Sequence, residues 1–80
     1  MNVKRVSGEA GGVGKLEIMD SRGDRWQVDV VESRIKPGKI VVARTTFVNL
    51  EFDVEPGFDF MYFLEDAARE FLTGESVNGR

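Results

Sequence analysis

Three stretches of this 80-residue chain, and its scattered serines, carry residue types that do chemistry elsewhere, and each lacks a part that the chemistry needs. Gly8-Glu9-Ala10-Gly11-Gly12-Val13-Gly14-Lys15-Leu16 has the glycine density and the lysine of a loop that cradles phosphates. That pattern puts a glycine five places before the Gly-Lys pair, where Glu9 stands, and a Ser or Thr after the lysine to hold magnesium, where Leu16 stands. The residues beyond Lys15 alternate as a strand does, so no helix N-terminus faces a bound phosphate. Asp20 and Asp24 bracket a turn at a spacing that can hold calcium. The EF-hand pattern is absent, and a hairpin loop whose carboxylates cap its own backbone is the simpler expectation. Arg22-Gly23-Asp24 spells the tripeptide that adhesion receptors read, with no secretion signal beside it. The serines (Ser7, Ser21, Ser33 and Ser76) have no histidine to activate them, because the chain contains none, nor any cysteine. The commonest general base, the commonest metal ligand and the thiolate nucleophile are therefore all missing. The expectation is a protein that is not an enzyme and that uses no metal and no cofactor.

The residues that remain must work by position, and the strongest positioning element is Asp59–Thr73. At about 100° per residue, Phe60, Met61, Phe63, Leu64, Ala67, Ala68, Phe71 and Leu72 fall on one arc of about 180°. Tyr62, Glu65, Asp66, Arg69, Glu70 and Thr73 fill the other. This predicts an amphipathic helix with Asp59 as N-cap, Phe58 and Phe63 as a hydrophobic staple, and Gly74 as the left-handed residue that ends it. Glu65 and Arg69 are spaced as an i,i+4 pair. The tail, Glu75–Arg80, is expected to fray.

So wide an apolar stripe needs a surface to cover, and the remaining residues supply a sheet. Asn2–Val6 reads as a short edge strand and residues 7–14 as a flexible glycine-rich loop. Lys15–Met19 and Arg25–Val31 alternate, with Leu16, Ile18, Trp26, Val28 and Val30 on one face; Asp20–Asp24 turns between them. Pro37-Gly38 within Lys36–Lys39 suits a type II turn. Ile40–Val54 is too long for one straight strand, since fifteen residues would reach about 50 Å, so a bend is expected between Arg44 and Asn49. Ile40–Ala43 is continuous and apolar, as a central strand buried on both faces would be. Val48, Leu50, Phe52 and Val54 alternate with polar residues until Pro56-Gly57 breaks the strand. The fold class is α+β: an antiparallel meander of three to five strands with one C-terminal amphipathic helix packed on one face, a single two-layer domain over residues 1–80.

Charge is divided unevenly. Residues 1–45 carry nine Lys/Arg against six Asp/Glu, net +3; residues 46–80 carry two against eight, net −6; together they make the −3 of the whole chain. No apolar run approaches the length of a membrane span and Met1–Val6 lacks the apolar core of a signal peptide, so a cytoplasmic protein is expected. Two binding readings follow. In the first, the acidic surface of Glu51, Asp53, Glu55, Tyr62, Glu65, Asp66 and Glu70 docks on a larger, basic protein, as inhibitors and decoys of phages and other mobile elements do. In the second, the strands are the working surface. Their order over about residues 13–73, four strands then a helix, resembles the architecture of the whirly and Pur-type single-strand nucleic-acid binders, with no residue motif to carry a family site over. That resemblance implies a dimer. Arg22, Arg25, Lys36, Lys39 and Arg44 would then track phosphates beside Trp26 or Phe47 as a stacking platform. Net acidity weighs against the second reading, since backbone binding draws on a basic groove. Either a monomer or an edge-strand homodimer is compatible with the sequence.

Overall fold

A computed structural model describes residues 1–37, 40–48 and 57–78, with the backbone alone at 40, 42–47, 58 and 76–78. Four strands precede one helix: β1 (Asn2–Gly8), β2 (Gly14–Met19), β3 (Arg25–Glu32), β4 (Ile40–Phe47) and α1 (Phe58–Asn78). The strands lie in the order β1-β2-β3-β4, each antiparallel to its neighbour, and α1 covers one face. This is the α+β two-layer meander that the apolar periods imply.

Register explains why one face is dry. Leu16 lies opposite Val28 and Ile18 opposite Trp26, so the alternating apolar residues of β2 and β3 point the same way. The helix meets them with Leu64, Ala68 and Leu72, spaced four apart along one stripe. These residues and Val30 are the buried apolar core, and Val3, Phe60, Ala67 and Phe71 pack around it. Each of the large side chains contributes about 1.5–3 kcal/mol on leaving water. The Phe60 ring stands edge-on to Trp26, centroids 5.4 Å apart at 68°, which orients the first turns of the helix on the sheet.

Four expectations are corrected. The Gly57 carbonyl accepts the Met61 N–H at 2.8 Å, so Gly57 is the N-cap and Asp59 sits one step inside the first turn, still at the positive end of the dipole. Phe63 is accordingly no staple partner. It is 65% exposed and lies at the rim of the apolar arc, about 100° round from Leu64. The helix does not stop at Gly74: it runs on to Asn78, so Glu75, expected in a frayed tail, is a helical residue. Lastly, β4 is an edge strand among the described residues, and Val41 is 44% exposed on the side away from the helix. A continuous apolar run marked a buried strand only on the assumption that both faces were covered.

Residues 7–14 close a tight hairpin, with Ser7 and Gly8 ending β1 and Gly14 opening β2. Gly8 pairs with Gly14, and the Gly12 N–H meets the Glu9 carbonyl at 2.9 Å. Gly8 and Gly14 have φ of 89° and 147°, and a Cβ on either would fall within 2.1 Å of a facing carbonyl oxygen. Only glycine lets the strands approach so closely there. The expected strand from Val48 through Val54, the Lys36–Lys39 turn as a whole and the last two residues of the tail fall outside the described residues.

Candidate functional site

The turn between β2 and β3 is built on Asp20. Its backbone N–H donates to the Asp24 carbonyl at 2.9 Å, its carbonyl accepts from Gly23 at 3.1 Å, and Gly23 has φ of 87°. That is a three-residue hairpin loop closed by a left-handed glycine. The side chain holds it: Oδ1 accepts the N–H groups of Arg22 (2.9 Å) and Asp24 (3.0 Å), and Oδ2 accepts the Trp26 indole N–H at 3.2 Å. Burial raises the pKa of this carboxyl, but the indole, the two backbone N–H groups and the nearby Arg22 guanidinium outweigh it and hold Asp20 below its ordinary 3.8. Both oxygens are thus engaged with the chain itself, as the capping expectation requires.

A second carboxylate does comparable work at the other end of the sheet, and no spacing in the chain announces it. Arg5 Nε and Nη2 donate to Glu75 Oε2 and Oε1 at 2.8 and 2.7 Å, a bidentate pair. The same guanidinium donates to the carbonyls of Ser7 (2.9 Å) and Gly12 (3.2 Å), and Glu75 Oε1 also accepts the Gly11 N–H at 3.0 Å. The side chains are 13% and 14% exposed. Bonding to Arg5 first, then to Gly11, lowers the Glu75 pKa against burial, and bonding to Glu75 raises that of Arg5. The helix has no basic residue in its last turn; Arg5 supplies the cation near its negative end from outside.

The acidic candidates divide. Glu51, Asp53 and Glu55 lie outside the described residues. On the helix, Arg69 reaches both Glu65 (3.3 Å) and Asp66 (3.0 Å), so part of the expected negative field is neutralised locally. Asp59, Tyr62, Asp66 and Glu70 are exposed, and Phe63 joins them. Spaced i, i+3, i+4, i+7 and i+11, these five form one solvent-facing stripe of two aromatic rings among three carboxylates. Phe63 was missed because a phenylalanine on an apolar arc was counted with the core.

The basic candidates do not gather. Arg22 is exposed at the β2–β3 turn within 3.9 Å of Asp20 and 3.6 Å of Asp24; Arg25 lies on β3, 3.8 Å from Glu17. Lys36 is exposed in the segment after β3, Lys39 is outside the described residues, and Arg44 is described only as the backbone partner of Asp29. Phe47 likewise enters only as the backbone partner of Trp26. Trp26 itself is 7% exposed, a core residue with no face free for stacking.

Comparison with protein-family models, curated proteins and solved structures returned no match. Among the described residues no helix is long and apolar enough to cross a membrane.

Proposed function

We propose that this protein is a non-catalytic docking module, an inhibitor-like or accessory protein, that binds a larger protein carrying a basic surface. The observation behind the reading is the exposed pair Tyr62 and Phe63, 57% and 65% accessible on the same helical stripe as Asp59, Asp66 and Glu70. Aromatic residues anchor protein interfaces because they bury large area with little loss of side-chain freedom. The carboxylates around them select a partner whose apolar slot is ringed by Lys or Arg, and they speed its approach. Single-strand nucleic-acid binding gains no comparable support, since Trp26 is enclosed and Arg22 and Arg25 face carboxylates.

Affinity capture with the wild-type chain, with a Tyr62→Ala/Asp66→Lys variant and with a Lys15→Ala control tests this. The expected result is a basic partner retained by wild type and by the control, lost by the double variant and weakened by salt. Retention by the double variant would discard the reading. So would a salt-sensitive, micromolar gel shift with single-stranded oligonucleotides.

A further inference from the structure

We propose that the Arg34–Ile35 peptide bond is a processing site: an arginine-specific endoprotease opens it first, and the product is a two-chain form that keeps the fold. This goes beyond the docking reading and does not depend on it. A protease holds its substrate extended across a cleft, so the bond it opens must lie in backbone that can leave the fold without dismantling it. The chain leaves β3 after Glu32, which pairs with Ile40, and Arg34, Ile35, Lys36 and Pro37 are all exposed. Ile35 is 88% accessible, the most of any large apolar residue described.

Little holds that segment. Ser33 Oγ accepts the N–H groups of Ile35 and Lys36 at 3.2 Å each, both in the open, where water replaces them at small cost. The Arg34 side chain enters no hydrogen bond or ion pair with a described residue. It is free to enter a specificity pocket floored by a carboxylate, with Ile35 on the leaving side of the bond. The next basic residue offers no alternative: Lys36 is followed by Pro37, whose ring nitrogen carries no N–H, and such enzymes leave that bond closed.

The other described arginines are withheld by the fold. Arg5 lies in β1 opposite Leu16, with its guanidinium on Glu75. The Arg25 carbonyl accepts the Val48 N–H at 3.0 Å, Arg44 pairs with Asp29 inside β4, and Arg69 lies within α1. Exposure alone does not single out Arg34, because Arg22 is exposed too. The Arg22–Gly23 bond, however, sits in the tight turn that Asp20 closes, where the N–H groups of Arg22 and Gly23 are both taken and Gly23 is left-handed. Extending it would unmake the turn.

The cut leaves two pieces that share one core. Residues 1–34 keep β1, β2 and β3, and residues 35–80 keep β4 and α1. Leu64, Ala68 and Leu72 of the second piece pack on Leu16, Ile18 and Val28 of the first, the β3–β4 ladder joins them, and so does the Arg5–Glu75 pair. Hydrolysis adds one water across the bond, giving a carboxylate on Arg34 and an ammonium on Ile35. Both new charges appear in solvent, where they cost the fold little.

Digestion of the full chain with a catalytic amount of an arginine-specific endoprotease, read by intact mass and size-exclusion chromatography, tests this. The expected first products are residues 1–34 and 35–80, their masses summing to the chain plus one water. They should co-elute at the size of the intact protein and part only in denaturant. The melting temperature of the cut form should depend on concentration, as it does for any two-piece assembly. Arg34→Gln, and Ile35→Pro as a variant that keeps the arginine, should each slow the loss of intact chain about tenfold or more. A first cut after another arginine, simultaneous cuts at several, or equal digestion of wild type and both variants overturns the proposal. So do pieces that part at micromolar concentration without denaturant.

Discussion

The two ends of the sheet are each fastened by a carboxylate, and they are fastened differently. Asp20 closes a loop from within it: every group it binds lies within six residues. Glu75 closes a loop seventy residues away, joining the helix end to the β1–β2 hairpin through Arg5, Gly11 and, by way of Arg5, Gly12. The first fixes a turn whose geometry the local chain already favours. The second fixes the packing of one layer on the other, so its loss is felt by tertiary structure rather than by one hairpin. Donors close in sequence make a carboxylate cheap to place, and donors brought in by the fold make it specific.

A carboxylate placed with no donors at all gives the sharpest contrast. Ala68 is fully buried among Leu16, Ile18 and Leu64, with no polar group provided for it. Ala68→Asp should cost more than about 4 kcal/mol. For 80 residues the whole stability is about 4–12 kcal/mol, so the variant is expected to be unfolded by circular dichroism. Asp66→Asn on the outer face should melt within about 0.5 kcal/mol of wild type. Equal effects would mean that the helix faces are reversed.

Breaking the long-range clamp comes next. Arg5→Ala leaves Glu75 with one backbone donor in a partly buried site, and it should cost about 2–3 kcal/mol in denaturant unfolding, less than a fully enclosed pair because water still reaches its rim. The Gly11 amide resonance should move with it, whereas Asp20→Ala should leave Gly11 in place. Asp20→Ala should lower the melting temperature by about 5 °C and shift the emission of Trp26, whose indole N–H loses its acceptor. A smaller loss for Arg5→Ala than for Asp20→Ala would invert the comparison.

Acid acts on both fastenings with one sign. Each carboxyl titrates lower in the folded chain than its ordinary 4.5 (Glu75) or 3.8 (Asp20). Their stabilisation is therefore complete above about pH 5, and it is lost as pH falls through those values toward the depressed folded ones. Melting temperatures measured from pH 7 to pH 3 should fall on the acid side for wild type and fall less steeply for Asp20→Asn/Glu75→Gln. Parallel curves would mean that neither carboxylate is bound more strongly in the folded state.

What the sequence made legible follows the same division. Period-two apolar residues in 15–19 and 25–31 placed β2 and β3, and the 3.6 period placed α1, because burial on one face is a local pattern. The Asp20 turn was readable from Asp20, Ser21, Gly23 and Asp24 within five residues. The Arg5–Glu75 pair was not, since no spacing relates residues brought together only by folding, and Gly74 argued for ending the helix just before the residue that matters. Nor was the exposure of Phe63, since a helical period gives the arc a residue falls on and not which part of that arc is covered.

Gly74 carries the smallest and most discriminating prediction. It lies within the helix, its φ is not positive, and a Cβ added there meets nothing within 4 Å. Alanine in a helix interior is favoured over glycine by about 0.5–1 kcal/mol, so Gly74→Ala should raise stability by that amount. Were Gly74 the left-handed end of the helix, the same substitution would lower it, and Glu75 would no longer be delivered to Arg5 by a helical turn. Combining Gly74→Ala with Arg5→Ala separates the contributions. A gain that survives the loss of Arg5 belongs to the helix itself, and a gain that vanishes with Arg5 means the clamp is what carries the helix past the glycine.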